Sequence, residues 1–246
     1  MAQINQLKTI PPDSVKKKDI VKKTNKMAKR IGELCRILQA DGQQSILVVL
    51  QGMDASGKDG VTREVFKYCS PSAVCAVGYK KPTPEEFAHD FLWRVHKHAP
   101  AKGSIKVFIR SHYEDVLIQR VHHWIDEERV DARFEAINAF ENLLIKDNNT
   151  TVLKFFLHIS PERQLEKLQE RKEEPDKFFK HNPGDWEERK YWNEYMKCYQ
   201  DVLDRSAIPW HIIPADARWY RNYMVAKEVL KTLEGFNLKY PPLKQD

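Results

Sequence analysis

No run of apolar residues approaches the roughly 18–20 needed to cross a bilayer, and Met1-Ala-Gln-Ile4 opens the chain without the hydrophobic stretch of a secretion signal. A soluble, cytoplasmic protein with no membrane partner is expected. Only four cysteines occur, Cys35, Cys69, Cys75 and Cys198, and none falls in a CxxC or other metal spacing. Reduced thiols are the expectation. The nine histidines include no HExxH and join no Cys/His cluster. His96, His98, His122 and His123 therefore read as surface or capping residues rather than zinc ligands. A Gly-x-Ser-x-Gly elbow is missing too, which leaves a serine hydrolase without support. No internal repeat or low-complexity tract is visible.

What is present in excess is positive charge, a formal +6 over 246 residues. It is local: residues 1–40 hold ten Lys/Arg against three Asp/Glu, and the remaining chain holds 31 against 32. We read a basic N-terminal arm and helix over residues 1–40 and a main domain over 41–246. The arm is either a solvated helix face or an attractor for a polyanion, and the main domain carries no nucleic-acid signature.

The main domain is organised around Ile46-Leu-Val-Val-Leu-Gln-Gly52-Met-Asp54-Ala-Ser-Gly57-Lys58-Asp59-Gly60. An apolar strand runs into Gly-x4-Gly-Lys, and Val61, Val65 and Phe66 follow at helical spacing. Gly-x4-Gly-Lys alone arises by chance in about one chain in fifteen of this length; a strand before it and a helix after it make a P-loop. Backbone N–H groups of Ala55, Ser56 and Gly57 would face phosphate oxygens, the helix dipole favours negative charge, and Lys58 adds an ammonium. Asp59 stands where Ser or Thr ordinarily meets Mg²⁺, and Asp54 adds a second carboxylate within the loop. Carboxylates among bound phosphates repel unless cations lie between them, so both point to Mg²⁺ and phosphoryl transfer.

Alternating strands and helices fill the rest. Strands are predicted at 46–50, 73–77, 105–109, 151–159 and 210–213, which gives a parallel sheet covered on both faces. A lysine-rich helix begins at Asp13 or Ser14, carries Ile20, Met27, Ile31, Leu34 and Leu38 on one stripe and ends at Asp41-Gly42. The P-loop helix is expected to close at Ser70-Pro71, and another helix to run from Pro84 through Val95. A helix around residues 133–145 precedes the fourth strand. Ser160-Pro161 caps a charge-dense segment, about 161–190, that reads as a mobile lid. Asp185-Trp-Glu-Glu188 has capping-box spacing for its second half. Tyr191, Trp192, Tyr195 and Tyr199 are either a stacking platform for bases or core; helical spacing favours core.

These residues resemble the polyphosphate kinase 2 family, over about residues 15–245. Its carriers are Gly52-x-Asp54-x-x-Gly57-Lys58-Asp59, Lys80-Lys81-Pro82-Thr83, His89-Asp-Phe-Leu-Trp-Arg94 and Arg110-Ser-His-Tyr-Glu114-Asp115. Others are Val152-Leu-Lys-Phe-Phe-Leu-His158, Asn182-Pro-Gly-Asp185 with Glu188-Arg189, Pro209-Trp210, and Pro214-Ala-Asp216-Ala-Arg218-Trp219. The Ser-His-Tyr-Glu form is similar to the subgroup acting on both AMP and ADP. The resemblance implies a three-layer α/β P-loop kinase fold, a central parallel sheet flanked by helices, with a helical lid. It implies reversible, Mg²⁺-dependent transfer from inorganic polyphosphate to AMP and ADP, with ATP as a product, guanine nucleotides as further acceptors, and a homo-oligomer.

Under that resemblance Lys58 and the loop N–H groups, Gly52 to Gly57, meet acceptor phosphates. Asp54 holds Mg²⁺, and Asp59 supports the metal or orients Lys58. Arg110 and Lys81 sit at the transferring phosphates, with Glu114 and Arg120 as further nucleotide contacts. Arg171, Lys180 and Arg189 grip the polymer from the lid. One position departs from the pattern: the family places Asp or Asn before Arg110, and here the residue is Ile109. Other readings stay open. An ATP-dependent nucleotide monophosphate kinase would need ATP as donor, and the Asp54/Asp59 loop argues against it. Ile109 leaves room for a P-loop module that binds nucleotide or polyphosphate without turnover. A nucleic-acid binder would hold duplex DNA with strong salt dependence, lost with residues 1–40.

Overall fold

β1 (Ser45–Gln51) is buried along its whole length, as a strand whose two faces both meet covering helices must be. The computed structural model describes residues 3–243, and four more strands join β1: β2 (Val74–Gly78), β3 (Ile105–Ile109), β4 (Thr150–His158) and β5 (Trp210–Pro214). All pairings are parallel, in the order β2-β3-β1-β4-β5. The α/β fold expected from the sequence is therefore present, and each predicted strand is found within a residue or two of its expected ends.

Ten helices connect and flank the strands among the described residues: α1 (Lys17–Asp41), α2 (Lys58–Val65), α3 (Pro84–Ala88), α4 (Trp93–His96), α5 (Ile118–Val121), α6 (Glu127–Asn148), α7 (Pro161–Glu173), α8 (Pro183–Glu188), α9 (Trp192–Arg205) and α10 (Arg218–Gly235). Caps explain several boundaries. Asp126 accepts the Arg129 N–H and starts α6 six residues before the apolar stripe suggested. Ser160 does the same for α7, with Pro161 in its first turn. α1 ends at Gly42 as expected, and its Ile31, Leu34, Cys35 and Leu38 lie in the same apolar core as the sheet.

Four local expectations need correction. α1 begins at Lys17, not at Asp13 or Ser14, which lie in the turn before it. The helix predicted from Pro84 through Val95 is two short ones. Thr83 and Glu86 form a capping box that starts α3, but the Asp90 side chain accepts the Leu92 N–H, an Asx turn that restarts the chain as α4. α2 stops at Val65, short of Ser70-Pro71. Asp185 does not cap α8: Asn182 takes that role by accepting the Gly184 N–H, and buried Asp185 instead receives Asn182 Nδ2 at 2.9 Å and Arg171 Nη1 at 2.5 Å.

A buried polar knot fixes the chain leaving β3. Lys154 Nζ, on β4, donates to Glu141 Oε2 at 2.7 Å and to the Tyr113 hydroxyl at 2.6 Å, while His112 Nε2 lies 3.3 Å from Glu141 Oε1. Removing one partner of such a buried pair would strand the other charge away from water. The 3-10 turn His112–Val116 is thereby held in place, and with it Arg110 just upstream.

Candidate active site

In a parallel sheet whose first strand is flanked by β3 and β4, the crevice at the strands' carboxyl ends falls beside β1. A cavity of about 780 Å³ lies there, and all five strand ends feed it: Gly78 to Lys81 after β2, Ile109 and Arg110 after β3, Ile159 after β4, Ala215 and Asp216 after β5, and the P-loop after β1. Twelve Lys or Arg side chains line it against five Asp or Glu.

The P-loop forms as its residues predict. Gly57 has φ 95°, and a Cβ there would lie 2.0 Å from Arg221 Nη1, so neither the backbone nor the space admits another residue. Ala55 also lies in the left-handed region, φ 62°. Lys58 folds over the loop, its Nζ 2.7 Å from the Gly52 carbonyl and 3.2 Å from that of Met53. Burial pushes its ammonium below the usual lysine value, and Asp54 only partly opposes this. Asp54 is ion-paired with Arg110. Burial alone would raise the Asp54 carboxyl, yet Arg110, Lys58 and Arg171 outweigh it and hold the group below its ordinary value, ionised. Arg110 itself has φ 62°, a conformation that costs free energy for a non-glycine residue and turns its guanidinium toward Asp54.

Of the residues singled out in the sequence, Asp54, Ala55, Gly57, Lys58, Asp59, Lys81, Arg110, Arg171 and Lys180 come together on this cavity, and Ile109 is on its wall. Gly52 and Ser56 serve from behind: the Gly52 carbonyl holds Lys58, and the Ser56 carbonyl accepts Arg221 Nη1 at 2.8 Å. Glu114, on the turn after Arg110, acts on Lys58 and Arg110 through its charge. Arg120 points elsewhere, bound to Glu127 at 2.6 Å and Asp201 at 2.7 Å. Arg189 is directed inward: its Nη1 donates to the Pro161 carbonyl at 2.8 Å and to Gln164 Oε1 at 2.7 Å. Gln164 Nε2 in turn donates to the Asp54 carbonyl at 3.2 Å, so the helical segment is stitched to the P-loop. Tyr195 and Tyr199 are buried, as core residues.

Several cations were missed. Arg163 and Lys167 precede Arg171 at intervals of four on α7, one helix face, and all three line the cavity. That spacing was readable. Arg221 was less so: it lies one turn into α10, buried, with neutral partners in the Ser56 carbonyl and the Asn222 amide. Burial and the nearby Arg218 and Arg163 push its guanidinium down to about 10.

A second cavity of about 940 Å³ adjoins the first at Lys81. Its lining is mixed, with Phe87, Phe91 and Trp124 beside Glu86, Asp115, Arg94 and Arg133. Phe87 and Trp124 are 52% and 56% exposed, so their rings are open to a ligand. Burial lifts the Asp115 carboxyl to about 6 despite Arg94 and Arg133. No helix among the described residues is long and apolar enough to cross a membrane.

Comparison with known proteins agrees with this geometry. The model of the polyphosphate kinase 2 family matches residues 14–241. An AMP/ADP-polyphosphate phosphotransferase from Meiothermus ruber is 44% identical over 216 residues, covering 87% of this chain and 80% of that relative. An ADP-polyphosphate phosphotransferase from Rhodopseudomonas palustris is 35% identical over 227 residues, 86% and 78% of the two chains. The crystal structure of polyphosphate kinase 2 from Arthrobacter aurescens superimposes with a TM-score of 0.94 at 36% identity, over 98% of this chain and 88% of that one. A basic P-loop cavity, a five-stranded parallel sheet and a match along nearly the whole chain lead to one conclusion: this protein is an enzyme of the polyphosphate kinase 2 family.

Proposed function

We propose that the enzyme transfers the terminal phosphoryl group of inorganic polyphosphate to AMP and ADP, reversibly and with Mg²⁺, giving ADP and ATP, with guanine nucleotides as further acceptors. The carrying observation is the pair of cavities meeting at Lys81, one lined by twelve cations and the other by aromatic rings with mixed charge. A polyanion of repeating phosphates suits the first. A nucleoside, which needs stacking and a few polar contacts, suits the second.

The donor chain lies over the P-loop, gripped by Lys58, Arg163, Lys167, Arg171, Lys180, Arg218 and Arg221. The nucleoside rests against Phe87 and Trp124, and its phosphates reach Lys81 and Arg110. In this reading Lys58 serves the donor, sharing its cavity with the cations of the helical segment. The acceptor's phosphate oxygen attacks the terminal phosphorus, the bridging P–O bond breaks, and the polymer leaves one phosphate shorter. An acceptor phosphate near neutral pH is already largely dianionic, so alignment and charge neutralisation carry the reaction. Arg110 moves from Asp54 to the transferring group.

Asp54 and Asp59 line the same cavity, a donor set that fits a hard cation completed by phosphate oxygens. Mg²⁺ held there supplies neutralisation of phosphate charge. The helical segment at about 161–190 acts as a lid. β2 is an edge strand with Cys75 and Ala76 exposed, a surface suited to pairing with a second copy, and light scattering on the purified protein tests the homo-oligomer. Function is tested by supplying polyphosphate with AMP or ADP, Mg²⁺ and no ATP, beside an EDTA control. ADP from AMP and ATP from ADP, both abolished by EDTA, are expected. Product formed with ATP as the only donor and none with polyphosphate would overturn the reading.

A further inference from the structure

We propose that Cys35 and Cys69 form a site of reversible thiol oxidation, closing to a disulfide that ties the connection behind the P-loop helix to α1. Cys35 lies in the second half of α1, buried; Cys69 lies in the turn between α2 and β2 and is half-buried. Their sulfurs are 3.3 Å apart. A second observation makes the bond feasible: the two backbones touch at this point. A Cβ on Gly32, one helical turn before Cys35, would lie 2.5 Å from the carbonyl oxygen of Tyr68, the residue before Cys69. With the main chains this close, closing to the disulfide length of about 2.05 Å asks the sulfurs to move by a little over an ångström.

The two thiols are unequal. Cys69 is the one an oxidant reaches. A thiolate on Cys69 accepts the S–H of Cys35, which holds Cys69 below the ordinary thiol value, while that hydrogen bond and burial push Cys35 up. Oxidation by hydrogen peroxide then balances. The Cys69 thiolate attacks one peroxide oxygen and becomes a sulfenic acid as the O–O bond breaks; the hydroxide released takes up the proton the thiol had lost and leaves as water. The Cys35 sulfur attacks that sulfur, the S–O bond breaks and a second water leaves. Two thiols lose two electrons and two protons, and the peroxide is reduced to two waters. A dithiol reductant reverses the step.

Neither sulfur lines either cavity. What the bond changes is the tether on residues 66–73, the link between the P-loop helix and β2, whose end carries Lys80 and Lys81. Closing a loop across the chain also restricts the unfolded state, so the oxidised form melts higher.

The experiment treats the full-length reduced protein with hydrogen peroxide, blocks remaining thiols and maps the cysteines by mass spectrometry. Cys75, exposed in the single chain, serves as the internal control for oxidant access once a maleimide is seen to label it in the native protein, since pairing of β2 with a second copy would cover it. Expected is a Cys35–Cys69 linked peptide, two hydrogens lighter than its parts, in protein that stays a single chain on a non-reducing gel. Dithiothreitol removes it, together with a rise of a few degrees in melting temperature. Cys35→Ala should leave a sulfenic acid on Cys69 that a dimedone probe traps. If that variant does not fold, Cys69→Ala takes its place, and Cys35 should then stay a thiol. Cys35 and Cys69 recovered as free thiols after Cys75 has been oxidised would overturn the proposal, as would an oxidised form that melts lower.

Discussion

Ile109 ends β3 on the wall of the phosphate cavity, at the position where a carboxylate would reach a metal, and isoleucine offers no ligand atom. Asp54 is ionised and lines the same cavity with Asp59, so on the proposed function these two carboxylates and phosphate oxygens would hold Mg²⁺ without a ligand from position 109. Ile109→Asn should therefore leave turnover and its Mg²⁺ dependence within about twofold; a gain of tenfold or more would mean that the site lacks a ligand. Arg110 is different in kind. Its backbone holds a left-handed conformation, and its guanidinium, paired with Asp54, is the cation that the proposed function assigns to the transferring phosphoryl group. Arg110→Ala should lower kcat by about 10²–10³-fold, the cost of losing one well-placed donor to developing charge, with little change in melting temperature. Buried histidines set the acid limit of the fold. Burial depresses His112 despite Glu141, and depresses His158 as well. Both stay neutral in the folded protein while the unfolded chain protonates below about 6.5. Stability is then complete above that pH and falls as pH drops toward their depressed values, by about 1.4 kcal/mol per pH unit for each. Asp115, raised to about 6, has the opposite sign and regains stability below 6. The steepest loss of melting temperature should fall just below pH 6.5, and His112→Gln should flatten it; an unchanged profile would remove His112 from the account.

Between elements, the stitch from the helical segment to the P-loop is the feature with the clearest consequence. Gln164 is buried on α7 and bridges Arg189 to the Asp54 carbonyl. Leucine there has similar bulk but makes neither bond. Gln164→Leu should keep the fold yet release the helical segment from the loop, raising KM for polyphosphate about tenfold with a smaller effect on KM for the nucleotide; equal changes in both would argue for general loosening. The strands, the P-loop and the Ser160 cap follow from local patterns: apolar runs, a glycine spacing, a hydroxyl before Pro161. Arg163, Lys167 and Arg171 were readable as one helix face. Capping-box spacing at Asp185 does not show that Arg171, fourteen residues earlier, pairs with its carboxylate. Arg120 and Arg189 are motif-like cations whose partners, Asp201 and Gln164, are brought to them by tertiary packing. Arg221 became a P-loop neighbour through a contact spanning 165 positions.

At the scale of the whole molecule, the basic N-terminal stretch divides by face. Its lysines Lys17, Lys18, Lys22, Lys23 and Lys29 are exposed, while Ile31, Cys35 and Leu38 on the same helix are fully buried against the rest of the core. Removing residues 1–40 therefore exchanges a charge question for a stability one. Losing a single buried Leu or Ile side chain costs about 2–5 kcal/mol, and a whole domain has only about 5–15 kcal/mol to lose; taking away Ile31, Leu34, Cys35 and Leu38 together exhausts it. The truncated chain should be recovered as aggregate or degraded product, so it cannot report on polyanion binding. Reversing Lys17, Lys18, Lys22 and Lys23 to Glu leaves the buried face intact and isolates the charge. If those lysines only solvate the helix, KM for polyphosphate and its rise with salt should match the unaltered enzyme, because the twelve cations of the cavity carry the whole electrostatic attraction. A KM that climbs several-fold for long polymers and stays level for short ones would show instead that the arm holds the far end of the chain.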